Sequence, residues 1–207
     1  MATTSEYGAR YPYLINASRL AEDVMHNARL AAITISRIAI PLRLKPGNSV
    51  LDVGCCLGTT GHFLSKGGIK AYGLDLNINA IEEGHRIWSN DKKNYTFVAN
   101  SQAIPFPDAS FTSVISQDVL EHVSDPDTLD IVFNEMCRVV KGKRMFHKIT
   151  TLEDTKNIHA DSTHHLKWTE DQWQTWFLDK GWQTISPPTR HFPGRGISYG
   201  NFLLQKI

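Results

Sequence analysis

The sequence predicts an α/β fold: a doubly wound, mostly parallel sheet of seven strands, with an antiparallel last strand and a helical segment ahead of it. Three observations predict it. Short β-rich runs alternate with amphipathic stretches from residue 49 onward, as expected of parallel strands joined by crossover helices. The first run, VLDV at 50–53, enters a glycine turn and then a helix. The 207-residue chain is 41% apolar with a formal charge of +1, which is ordinary for a chain that buries one sizeable core.

The elements follow in order. Leu20, Val24, Ala28, Ala31, Ile35 and Ile38 recur at three- and four-residue steps between Ser18 and Ile40, an apolar stripe for one or two helices. Pro41 and Pro46-Gly47 end that segment. Residues 1–46 are thus expected to form an N-terminal helical segment, and 47–207 the main domain. Val50–Val53 reads as a strand, Thr59–Lys66 as a helix, and Lys70–Leu74 as a second strand ending on Asp75. Asn79 and Glu82 have capping-box spacing and open a helix carrying Ile81, His85 and Trp88. Tyr95–Ala99 and Phe111–Ser116 are the third and fourth strands.

Asp125-Pro126 reads as an N-cap with proline at the first helical position. Its helix places Leu129, Val132, Phe133, Met136 and Val140 on one face. Lys141-Gly142-Lys143-Arg144 reads as a solvated turn, leading into a fifth strand over Arg144–Ile149. Thr169 and Gln172 form another capping box, with Trp173, Trp176 and Phe177 behind it as core and Gly181 closing the helix. Trp182–Ile185 and Asn201–Ile207 complete the strands. No long helix joins these two, so the final strand is expected to run antiparallel.

Balanced charge leaves no broad basic surface for nucleic acid. No run approaches the ~18 apolar residues of a membrane span, and the N-terminus lacks a basic-then-apolar leader. The three cysteines, Cys55, Cys56 and Cys137, suit a reducing compartment, so a cytoplasmic location is expected.

The glycine turn decides the chemistry. A dinucleotide fingerprint would need glycines at 54, 56 and 59, but only Gly54 is present. No Gly-Lys-Ser/Thr follows for a phosphate loop. Asp75 at the tip of the second strand suits a ribose diol, or else simply the N-terminus of the next helix. Ile104 and Phe106 suit either an apolar wall or the core. The long stretch Thr150–Lys167 is rich in His and Asp, and such loops at strand ends are commonly functional. His147, His159, His164 and His165 with Asp154 and Asp161 match neither a His-Glu-x-x-His helix nor a zinc finger, so no metal is expected. Trp168 could line a pocket, and Tyr7, Tyr11 and Tyr13 could close over the site as a lid or merely pack on the sheet.

These motifs resemble, from about Ser49 onward, the class I S-adenosylmethionine-dependent methyltransferases, on the small-molecule branch that includes quinone-biosynthesis enzymes. VLDVGCCLG looks like that family's first motif, YGLDLN its ribose-binding strand end, and NSQAIPFPDASF the segment past the adenine. SQDVLEHVSDPD and DSTHHLKWTEDQW are similar to later segments of the same branch. The resemblance implies a Rossmann-like fold and S-adenosyl-L-methionine as cofactor, held by Asp52, Gly54, Cys55, Cys56, Gly58, Asp75, Leu76, Asn100, Ser101, Gln102 and Gln117. It implies methyl transfer to an oxygen or nitrogen of a small metabolite. His164, with Asp161 near enough in sequence to orient its ring, is the first candidate for proton removal or acceptor orientation, with His165 and Asp118 as rivals. Glu121-His122 reads as structural. Two departures stand out: Cys56 replaces a further glycine, and Asn100 stands where an acid is common. They leave open a non-catalytic binding protein of the same fold, and a nicotinamide-dependent reductase is a more distant alternative.

Overall fold

The computed structural model describes residues 24–88, 94–187, 190–192 and 196–207. The strands are β1 Ser49–Val53, β2 Lys70–Asp75, β3 Asn94–Val98, β4 Phe111–Gln117, β5 Val140–Lys148, β6 Trp182–Thr184, β7 Arg190–Phe192, β8 Gly196–Ser198 and β9 Asn201–Lys206. The helices are α1 Val24–Thr34, α2 Thr59–Lys66, α3 Ile78–Ile87, α4 Pro126–Val139 and α5 Glu170–Asp179. Seven strands share a sheet in the order β3-β2-β1-β4-β5-β9-β6, while β7 and β8 form a separate pair. This is the Rossmann-like doubly wound architecture expected from the sequence. Tyr7, Tyr11, Tyr13 and Leu20 lie outside the described residues. Among the described residues, no helix is long and apolar enough to cross a membrane.

Two compact units divide the chain between Pro105 and Phe106. In the first, β1 pairs in parallel with β2, and β2 with β3, placing Asp52 opposite Gly73. Val50, Leu51, Val53, Leu64, Leu74 and Ile81 are buried here, as the alternation of strand and amphipathic helix demands. Helix α1 runs on into a π-type turn over Ile35–Ala39, whose Ile38 is buried. The α3 cap differs from expectation. Asn77, not Asn79, is the N-cap: its backbone is extended and its side chain accepts the N–H groups of Asn79 and Ala80. The polar side chain two residues earlier reaches those free amides, so the helix starts at Ile78.

In the second unit, Asp125 caps α4 by accepting the Thr128 N–H at 2.8 Å, with Pro126 at the first turn. Leu129, Val132, Phe133, Met136 and Val139 are buried along α4. Val140 opens β5 instead of ending the helix stripe, and Lys141–Arg144 lies inside that strand, not in a solvated turn. Here the register with the parallel partner β4 shifts: Phe111 faces Val140 and Ser113 faces Arg144, so residues 141–143 of β5 bulge opposite Thr112. Gly142 permits it, because a Cβ there would meet the Thr112 carbonyl oxygen at 1.8 Å.

Strand β9 runs antiparallel to both β5 and β6, as expected. Helix α5 opens on the Thr169–Gln172 capping box and buries Trp173 and Phe177 with Phe133, Trp182 and Phe202. Trp168 packs on Trp173, ring centres 4.7 Å apart. The β7–β8 pair was not legible in the sequence, where this stretch shows prolines and glycines and little alternation.

Candidate active site

Three left-handed residues shape the turn after β1: Gly54 (φ 74°), Cys56 (φ 50°) and Gly58 (φ 69°), the last being the N-cap of α2. Cys56 thus adopts the glycine-like backbone that the missing glycine would supply. Holding a side chain there is strained by about 1 kcal/mol or more. The amides of Gly54 and Cys55 donate to the Leu74 carbonyl at 2.8 and 3.0 Å, locking the turn against the end of β2. The Cys55 side chain packs where Gly73 has none, since a Cβ at Gly73 would lie 2.6 Å from its sulfur.

The Asp75 carboxylate is fixed at both oxygens. Cys56 donates its N–H to Oδ2 at 2.9 Å and Asn77 donates to Oδ1 at 2.8 Å. An ionised carboxylate offers roughly four acceptor positions, so two more hydrogen bonds remain open to it. The amide of Ala99 donates to the Asp75 carbonyl at 3.0 Å, which anchors the turn carrying Asn100, Ser101 and Gln102. Asn100 Oδ1 accepts the Gln102 N–H at 2.9 Å. Leu76 beside Asp75 is 57% exposed, an apolar surface next to a polar acceptor. Ile104 is buried.

Burial raises the ionisable groups of this turn. Asp52, 5% exposed, is pushed up to about 8 by burial, and the neighbouring Asp75 charge adds to it. The Cys56 thiol is pushed up to about 11, first by burial and then by Asp75, and Cys55 is raised for the same reasons. Neither sulfur is a thiolate near neutral pH.

A second group of side chains gathers at the C-terminal ends of β4 and β5. Gln117 ends β4 opposite Lys148, and Asp118 follows it with φ 52°. The Asp118 N–H donates to the Lys148 carbonyl at 2.8 Å, while its carboxylate pairs with Lys148 Nζ at 3.3 Å. Glu121, fully buried in a short 3₁₀ turn, accepts the Thr150 N–H on Oε1 at 2.6 Å. Its carbonyl receives the amides of His165 and Leu166 at 2.8 and 3.1 Å, which ties the long loop back to this turn. Burial and then Asp118 push Glu121 up to about 7.

The histidines separate by environment. His164 is 7% exposed, its Nδ1 is 3.1 Å from the Ile158 carbonyl, and its ring lies 4.7 Å from that of His122. His165 and His159 are exposed. His147 belongs to the core and not to a site: it is fully buried, 2.8 Å from Ser116 Oγ, stacked with Phe177, and pushed down to about 3 by burial. Asp161 does not orient His164. Its Oδ1 accepts the Thr163 N–H and hydroxyl at 2.8 and 2.6 Å, and Thr163 Oγ1 lies 2.9 Å from His122 Nδ1. Spacing placed the acid near the wrong ring because the turn at Thr163 redirects it. Glu121 and His122, taken as structural from sequence, therefore stand beside His164.

A methyltransferase domain family matches residues 51–146, from β1 into β5. Squalene methyltransferase 1 of Botryococcus braunii is 28% identical over 167 residues, 78% of this chain and 40% of that protein. Phosphoethanolamine N-methyltransferase 1 of Zea mays is 30% identical over 137 residues, 61% of this chain and 27% of that protein. Residues 51–146 thus carry a methyltransferase domain, and the chain is related to the class I S-adenosylmethionine-dependent methyltransferases. The chain spans less than half the length of the two curated relatives described. It is also similar in fold to the PH0226 protein of Pyrococcus horikoshii OT3, with a TM-score of 0.72 and 16% identity over 98% of this chain and 99% of that one.

The left-handed backbone at Cys56 sets the expected effect of a glycine there on stability. Glycine ordinarily costs about 0.5–1 kcal/mol through unfolded-state entropy. At φ 50° the chain would instead shed strain. Cys56→Gly is expected to leave stability unchanged or raise it by about 0.5–1 kcal/mol in urea unfolding, with cofactor affinity kept or improved. A loss of more than about 1 kcal/mol, or a large loss of affinity, would show that the buried thiol contributes packing that outweighs the strain.

Proposed function

We propose that this methyltransferase moves a methyl group from S-adenosyl-L-methionine to an oxygen or nitrogen of a small metabolite, with residues 47–207 as the catalytic domain. The observation that carries the reading is the Asp75 carboxylate, pinned by two backbone amides at the end of β2 and still able to accept two hydroxyls. That donor-acceptor set fits a ribose diol. Gly54, Cys56 and Gly58 bring backbone close to the ligand, and Asp52 and Cys55 back the turn from within. Leu76 covers the adenine side, and Asn100, held by Gln102 beside Ser101, accepts from its amino group. When bound, the cofactor supplies a methyl group already activated on a positive sulfur. The chain's own work is to align the acceptor, exclude water and take its proton. His164, with one ring nitrogen committed to the Ile158 carbonyl, offers the other as acceptor, and His165 beside it in sequence and Asp118 after β4 are the alternatives.

Calorimetry tests the reading directly. The wild-type protein is expected to bind S-adenosyl-L-methionine. Asp75→Ala is expected to weaken binding tenfold or more, since each charge-assisted hydrogen bond is worth about 1.5–3 kcal/mol. No heat from the wild type at millimolar cofactor overturns the reading. An unchanged affinity in a folded Asp75→Ala protein removes Asp75 from the site. The acceptor is identified by incubating metabolite extract with methyl-labelled cofactor and analysing labelled products by mass spectrometry.

A further inference from the structure

We propose that Glu121, His122 and His164 form a binding site for one divalent first-row transition-metal ion. A carboxylate oxygen and one nitrogen from each ring already lie within 4.8 Å of one another. Bonds of about 2.0–2.2 Å to a tetrahedral ion place ligand atoms roughly 3.4 Å apart. Small side-chain rotations close that gap, while the backbone is in place: the His165 and Leu166 amides hold the loop on the Glu121 carbonyl.

Two features distinguish this cluster from a packed polar group. Glu121 is fully buried, yet its Oε2 has no hydrogen-bond partner. An orphaned buried carboxylate oxygen is costly and calls for a cation or proton. Second, both rings have Nδ1 committed elsewhere. His164 Nδ1 faces the Ile158 carbonyl, so it carries the proton. The Thr163 hydroxyl spends its proton on Asp161, so its oxygen accepts from His122 Nδ1. Both Nε2 lone pairs are therefore left for a ligand, the outer-shell arrangement that metal-binding histidines use.

Two imidazoles and one carboxylate suit zinc, manganese or iron and disfavour magnesium and calcium, which prefer oxygen alone. The binding site stands on its own geometry. Its role in catalysis, holding an acceptor oxygen for methylation, rests on the methyltransferase reading.

The full chain, stripped by chelator and desalted, is titrated by calorimetry with zinc chloride and separately with magnesium chloride. One zinc site is expected, at least 100-fold tighter than magnesium, together with a rise in melting temperature. Glu121→Gln keeps an oxygen for the Thr150 amide, and its zinc affinity should fall at least tenfold. His122→Ala provides a second variant should the first fail to fold, with the same expected loss. Absence of zinc binding by the wild type at millimolar metal overturns the proposal. So does zinc binding that persists undiminished in a folded variant, because the ion would then sit elsewhere, on Cys55 and Cys56 for instance. S-adenosyl-L-methionine titrated into the same metal-free protein tests the methyltransferase reading separately. Cofactor binding without zinc binding sinks only the metal site.

Discussion

Replacing His164 by alanine is expected to lower turnover on the true acceptor by roughly 10²–10⁴, with cofactor affinity within a few-fold of wild type. The ring is buried, its Nδ1 is spent on the Ile158 carbonyl, and one of its nitrogens lies within 4.8 Å of ligand atoms of His122 and Glu121. A base or an acceptor-orienting ligand removed from such a position costs the chemical step and not the binding of the methyl donor. Far-UV circular dichroism and melting temperature establish that the variant is folded. Turnover within a few-fold of wild type would pass the role to His165 or Asp118. Adding a chelator to the wild-type assay separates the two roles of His164. A free base survives chelation, whereas a metal ligand loses activity with the ion.

Asp52→Asn is expected to flatten the pH dependence of stability between about pH 4 and pH 8. The native carboxyl titrates near 8 because it is buried, with Asp75 adding to the shift, against 3.8 as its ordinary value. Between those values the native state keeps a proton that the unfolded state has released. Stability therefore falls as pH rises through this window, by at most about 1.4 kcal/mol per pH unit. Asparagine does not titrate, so the variant should gain on wild type progressively up to pH 8, by several kcal/mol at most. Urea unfolding of both proteins at pH 5, 6, 7 and 8 measures the difference. His147, held neutral with a value near 3 by burial, acts in the opposite sense below its ordinary 6.5. It does so equally in both proteins and cancels in the comparison. A constant difference across the range would mean that Asp52 is ionised in the native state.

Much of the fold was legible because its signals are local. Asp125-Pro126 can only open a helix cheaply, and the Thr169–Gln172 pair supplies both halves of a reciprocal cap. Helix α2 and the ends of β2 followed from glycine punctuation and the switch in apolar period. Where a boundary slipped, a distant partner had decided it. Lys141–Arg144 has the composition of a surface turn, yet pairing of Val140 with Phe111 and of Arg144 with Ser113 holds it within β5 as a bulge.

The candidate site divides along the same line. Asp75 was legible because a strand end is a position in the sequence, and β2 ends there. The turn at Cys56 was half legible: the spacing marked the loop, but only hydrogen bonds from Gly54 and Cys55 to Leu74, and from Cys56 to Asp75, impose the left-handed backbone on a residue that resists it. The grouping of Glu121, His122 and His164 was not legible at all. Their spacing follows no helical or finger repeat, since it is the Glu121 carbonyl, gripping the amides of His165 and Leu166 from across β5 and a long loop, that brings the rings together. By itself the sequence determined the strands, the caps and the acid at the end of β2, because each depends on neighbours in the chain. Only the tertiary structure decided which histidines meet a buried carboxylate, because that depends on backbone groups satisfying one another across the fold.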